Sequence, residues 1–194
     1  MSFKEAIVDP GATLQSHCVT GALPNGVKLL PLETHHDERG SLTELFRTSW
    51  VTGIDVVQWN YVASAKEVLR GVHLHIKHED YLILLSGHAT VGLRDLRSES
   101  TTRGVTALIE LKGGERRALT IPPGVAHGFY FREPSIHIYG VSEFWDEQDE
   151  LGCHWADPEL GISWPNPAPV ISARDAALPS LRELVESLHL AQQN

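Results

Sequence analysis

Short runs of β-branched, aromatic and aliphatic residues recur through the middle of the chain, at 41–47, 56–64, 81–85, 89–96, 105–111, 118–121 and 136–144. Clusters of Gly, Pro or charge separate them: Asp37-Glu38-Arg39-Gly40, Ser86-Gly87-His88, Lys112-Gly113-Gly114-Glu115 and Pro122-Pro123-Gly124. Strand-length apolar segments at this spacing predict an antiparallel sandwich or barrel. Ser86-Gly87-His88 reads as the tight turn of a hairpin joining 81–85 to 89–96. Helical periodicity is sparse until the end of the chain. There Leu181, Leu184, Val185 and Leu188 repeat at i, i+3, i+4 and i+7 behind Ser180, a residue type that caps helices. Between them, 155–169 holds Asp157-Pro158, Trp164-Pro165 and Asn166-Pro167 and predicts an extended, turn-rich segment wrapped on the barrel. The pattern predicts one all-β domain over 1–194 with a short C-terminal helix, its core at about 27–165 and an extension over 166–194.

Length and composition agree. At 194 residues the chain builds one well-buried core. The net charge of −9 and pI near 5.6 argue against a nucleic-acid partner, because phosphate binding needs a basic surface. No segment has the run of apolar residues that spans a membrane, and 1–11 lacks the apolar centre of a leader peptide. Cys18 and Cys153 are too few and too distant for a disulfide framework. The expectation is a cytoplasmic protein with free thiols.

Chemistry concentrates around histidine. His73 and His75, two apart on a strand, share a face, and His127 follows Pro122-x-Gly124 on a later strand. The pattern His73-x-His75-x4-Asp80-x6-Gly87 with Pro122-x-Gly124-x2-His127 resembles the two-part metal signature of the cupin superfamily. Three imidazoles and a carboxylate suit a divalent transition ion with open coordination positions. Glu79 and Asp80 cannot both point inward on a strand, and the spacing to Gly87 favours Asp80.

The flanks resemble something narrower. Asp37-Glu38-Arg39-Gly40 with Glu44-Leu45-Phe46, Gln58-x-Asn60, Leu69-Arg70-Gly71-Val72-His73 and Ile121-Pro122-x-Gly124-x-Ala126-His127-Gly128-Phe129 come in that order. Tyr139 with Phe144-Trp145, Trp155-x-Asp157-Pro158-x-Leu160, Ile162-x-Trp164-Pro165 and Ser172-x-Arg174-Asp175 follow. Together they are similar to the dTDP-4-dehydrorhamnose 3,5-epimerase family from about residue 30 to residue 180. That resemblance implies a cupin-type jelly-roll barrel, a homodimer, no cofactor, and a nucleotide-diphosphate sugar as ligand. The implied activity is an isomerase inverting C3, C5 or both in a 4-keto-6-deoxyhexose, in deoxysugar supply for a polysaccharide or glycosylated product. It further implies His73 as base, Asp175 as its orienting carboxylate and Tyr139 as the acid on the opposite face. Arg39, Gln58, Asn60, Arg70, His127 and Trp145 are the implied substrate contacts. By strand alternation, one of Phe144 and Trp145 is expected to pack inward.

Two positions depart from the family. Where its members commonly carry glutamine and lysine, this chain carries His75 and Asp80. A carboxylate opposes the enolate charge that a lysine would stabilise. A protonated Asp80, an inward Lys77, His75 or His78, or a metal ion would each restore the balance. The alternatives to the epimerase are therefore a metal-dependent cupin enzyme using His73, His75, Asp80 and His127, or a sugar-nucleotide-binding cupin without activity.

Overall fold

The computed structural model describes residues 18–50 and 52–191, and the N-terminal stretch from which no leader was expected lies outside them. Two antiparallel sheets face each other. The first runs in the order β1 (Val19–Thr20), β9 (Thr106–Lys112), β8 (His88–Asp95), β11 (Val125–Phe131), β6 (Leu69–Leu74) and β13 (Leu151–Gly152). The second runs β2 (Lys28–Pro31), β10 (Arg117–Ile121), β7 (Asp80–Ser86), β12 (Ser135–Val141) and β5 (Gln58–Ser64). A separate ribbon pairs β3 (Thr34–Asp37) with β4 (Gly40–Thr43). From β5 to β8 and again from β9 to β12 the chain alternates between the sheets, as in a jelly roll. Among the described residues, no helix is long and apolar enough to cross a membrane.

That alternation corrects the expected hairpin at Ser86-Gly87-His88. Strand β7 pairs with β10 on one edge and β12 on the other, whereas β8 pairs with β9 and β11. A strand has only two edges, and both of β7's are taken, so the turn is a corner between sheets. The run at 41–47 is strand only to Thr43; Leu45 and Phe46 leave the ribbon and pack on the outer face of the second sheet. Strand β12 ends at Val141, so alternation has no hold on Phe144 and Trp145, and both are exposed.

One apolar cluster fills the space between the sheets, including Val91, Leu93, Ile109, Leu119, Ile121 and Phe131. A second lies behind the first sheet, where Leu74, Ala126, Cys153 and Leu160 meet the C-terminal segment. There Trp164 lies over Gly92. A Cβ at residue 92 would come 2.6 Å from the Trp164 ring, so only glycine leaves room for the indole. The 155–169 segment is turn-rich as expected, with one 3-10 turn at Pro158–Leu160. Helix α1 (Ala173–Ala176) follows, then α2 (Leu181–Ala191). The Ser180 hydroxyl accepts the Glu183 amide at 3.3 Å while the Glu183 carboxylate accepts the Ser180 amide at 2.8 Å. This reciprocal capping box starts α2 where the periodicity places it, with Leu181 and Leu184 buried beneath.

Candidate active site

Between the sheets, at the end the apolar cluster leaves open, lies a cavity of about 520 Å³. Its size suits a small metabolite. Strands β6 and β11 supply one wall, and β5, β7 and β12 the other, so residues from distant parts of the chain face a common space.

His73 lines this cavity from β6. Its Nε2 donates to Asp175 Oδ1 at 2.9 Å, and Asp175 Oδ2 accepts the Gly71 amide at 3.2 Å. Asp175 arrives on α1, started by the Ser172 hydroxyl accepting the Asp175 amide at 3.0 Å. Gly71 is needed here. Its φ is +122°, and a Cβ would meet Gly128 Cα at 2.8 Å on the neighbouring strand. Burial pushes the Asp175 carboxyl up, but the bonds from His73 and the Gly71 amide together hold it below its usual value. An ionised Asp175 fixes the His73 proton on Nε2. The Nδ1 lone pair is then left without a partner among the described residues, which is the arrangement a base requires.

Tyr139 faces the cavity from β12, on the opposite sheet, in register with Asn60 and Leu82. Burial first, then the charges of Asp80 and Glu150, push its phenol above the ordinary tyrosine value. It therefore holds its proton at neutral pH. Base and acid stand on opposed walls.

At one end of the cavity sits a cluster of His75, His78, Asp80 and His127, all buried. Each imidazole gives its Nδ1 proton to an oxygen: His75 to the Asp149 carbonyl at 3.0 Å, His127 to the Val125 carbonyl at 3.1 Å, and His78 to the Asp149 carboxylate at 2.9 Å. Burial, then repulsion from Glu150 and Asp149, pushes Asp80 up to about 8. Burial pushes His75 down to about 4 and His127 well below the usual histidine value. Of the groups that could offset the missing lysine, Lys77 points away, its Nζ bound to Asp146 at 2.7 Å on the surface. The inward acid of the Glu79–Asp80 pair is Asp80, as the spacing predicts.

Gln58, Asn60, Arg70, His127 and Trp145 also line the cavity. Gln58 Nε2 donates to Asn60 at 3.0 Å and Gln58 Oε1 accepts the Trp145 amide at 3.3 Å, which ties the exposed indole to the rim. Arg70 is held by the Ser64 hydroxyl at 2.9 Å. Arg39 is not brought in. It sits in the exposed turn of the β3–β4 ribbon, paired with Asp37. Among the charged or titratable lining residues, His137 and Glu150 escaped the sequence reading, and Arg174 entered it only as part of a motif, without a role. His137 had a signal, since it lies two before Tyr139 and shares its strand face. Arg174 and Glu150 pair at 2.7 Å across 24 positions of sequence, which no local pattern reveals.

The sequence model of the dTDP-4-dehydrorhamnose 3,5-epimerase family matches residues 23–183. A dTDP-4-dehydrorhamnose 3,5-epimerase of Neisseria gonorrhoeae is 34% identical over 164 residues, 80% of this chain and 50% of that protein. The chain thus spans half the length of that relative. The spore coat polysaccharide biosynthesis protein SpsL of Bacillus subtilis is 33% identical over 144 residues, 72% of this chain and 95% of that one. Among solved structures, a dTDP-6-deoxy-D-glucose-3,5-epimerase of Legionella pneumophila, in complex with dTDP-4-keto-L-rhamnose, superposes with a TM-score of 0.79. It has 29% identity and covers 88% of this chain and 95% of that one.

Proposed function

The chain belongs to the dTDP-4-dehydrorhamnose 3,5-epimerase family, and from that membership and the cavity we propose that it inverts C3, C5 or both in a nucleotide-linked 4-keto-6-deoxyhexose. The carrying observation is the His73–Asp175 pair on one wall with Tyr139 on the other. A ketone at C4 acidifies the hydrogens of both neighbouring carbons. His73 Nδ1 removes one of them, and its imidazolium is stabilised by the Asp175 charge. Electron density moves onto the C4 oxygen as an enolate. Tyr139 then delivers a proton to the same carbon from the opposite face, which inverts it. Each positioned proton transfer is worth about 10²–10⁴-fold in rate.

Arg70 supports recognition of a diphosphate, which a planar guanidinium grips with two parallel bonds. Trp145 at the rim offers a flat face to a nucleobase. We further infer a homodimer. The β3–β4 ribbon belongs to neither large sheet and carries Arg39 away from its own cavity. In a dimer it could bring that guanidinium to the partner. The cytoplasm is the proposed setting, where nucleotide-activated sugars are made, and a polysaccharide or glycosylated product is the proposed destination.

The test is incubation of dTDP-4-keto-6-deoxyglucose with the protein in heavy water, followed by NMR. Deuterium at C3 or C5 is the expected result. No incorporation at either carbon, with this sugar or its other nucleotide forms, would refute the proposal.

A further inference from the structure

At the end of the cavity, three imidazoles turn the same way. The Nδ1 atoms of His75, His78 and His127 each donate to an oxygen, so each Nε2 carries a lone pair. His127 Nε2 lies 3.6 Å from Asp80 Oδ2 and His78 Nε2 lies 3.8 Å from Asp80 Oδ1. One ligand atom from each of His75, Asp80 and His127 lies within 4.8 Å of the others. The Asp80 carboxylate makes no hydrogen bond with the described residues. Ligand atoms of His75, Asp80 and His127 therefore converge on one point of the cavity wall. A single proton bridges only two of these atoms; a divalent cation engages all three at once.

We propose that His75, Asp80 and His127 form a three-residue site for one divalent transition ion such as Zn²⁺ or Fe²⁺. Mixed imidazole and carboxylate donors suit these ions. Metal-binding histidines characteristically give their second nitrogen's proton to a carbonyl or carboxylate, and His75 and His127 both do so here. A second grouping, His75 with His78 and Asp149, is the weaker candidate. The Asp149 carboxylate is already committed to the Ile76 and Lys77 amides and to His78. His73 stays outside the set because it belongs to neither group of ligand atoms that lie within 4.8 Å of one another. The ligand set expected from the cupin signature is thus reduced to three, without His73. That omission leaves a free base beside a cation.

The site stands on this geometry alone; only its role rests on the epimerase reading. There, a bound ion would supply the positive charge for the C4 oxygen that family members draw from lysine.

The experiment uses the full chain stripped with EDTA and titrated with CoCl₂, read by visible absorption and by calorimetry. Expected are d–d bands of a low-coordinate site, saturating at one ion per chain and displaced by Zn²⁺. Asp80→Asn and His127→Gln should each weaken binding by at least about 10–100-fold. His88→Gln, at a His–Glu pair outside the cavity, should leave binding unchanged. A wild-type chain that shows no saturable bands overturns the proposal, as do variants at 80 and 127 that bind like wild type. Deuterium exchange is scored separately. Exchange without Co²⁺ binding removes the metal site and leaves the epimerase; Co²⁺ binding without exchange does the reverse.

Discussion

Replacing Asp175 with asparagine probes the proposed base without changing its size. The carboxylate accepts two donors, the His73 Nε2–H at 2.9 Å and the Gly71 amide at 3.2 Å. Asparagine offers one acceptor and one donor. If its oxygen faces His73, its NH₂ meets the Gly71 N–H, donor against donor. If its NH₂ faces His73, the imidazole must accept at Nε2, and its proton moves to Nδ1, the nitrogen that should attack carbon. In both cases the negative charge that stabilises an imidazolium is gone. Loss of a general base costs about 10²–10⁴-fold, which is roughly 3–5 kcal/mol of transition-state stabilisation. The expected result for D175N is a fall of that size in kcat, with KM changed by less than about fivefold because Asp175 donates nothing to substrate. Stability should fall as well. One charge-assisted bond is worth about 1.5–3 kcal/mol, or roughly 3–12 °C in Tm for a chain of this length. The assay is the initial rate of C3 and C5 deuterium wash-in by NMR, alongside a thermal melt. If D175N keeps more than about a fifth of wild-type kcat while its Tm drops as stated, Asp175 is a structural cap and His73 is not the base.

Other expectations follow from the same contacts. In Tyr139→Phe, the base still works but the opposite face has no acid. Deuterium exchange should persist with configuration retained, while inverted product falls by about 10²–10⁴-fold; equal loss of both would mean that Tyr139 does not act after the proton is removed. Burial pushes the Asp95 carboxyl up, but bonds from Arg97, Ser100 and Thr102 outweigh it and hold the folded group well below its unfolded value of 3.8. The stability it contributes is present above that value and drains away as the pH falls through it toward the folded pKa. The urea-unfolding difference between wild type and Asp95→Asn should accordingly be larger at pH 7 than at pH 3, and the opposite order would contradict the assignment. Gly92→Ala places a methyl 2.6 Å from the Trp164 ring. It should cost about 1–3 kcal/mol of stability by overpacking, and an unchanged urea midpoint would show that the indole moves freely.

The sequence determined the class of fold and the start of α2, because strand spacing and capping are local signals. It also supplied His73, His127, Tyr139 and Asp175 as candidates through motifs in order along the chain, and the choice of Asp80 over Glu79 through its spacing to Gly87. Other features depended on which edges and faces were already occupied. The turn at Ser86-Gly87-His88 has the composition of a hairpin, but β10 and β12 hold both edges of β7, so the chain must cross to the other sheet. The resemblance paired Asp175 with His73, but only the tertiary structure supplied the contact, across 102 positions, and only tertiary distances leave His73 out of the proposed ligand set. Residue types and their periods are written in the chain, but which nitrogen of an imidazole keeps its lone pair is set by the oxygen that reaches the other one. That oxygen can come from any distance in sequence.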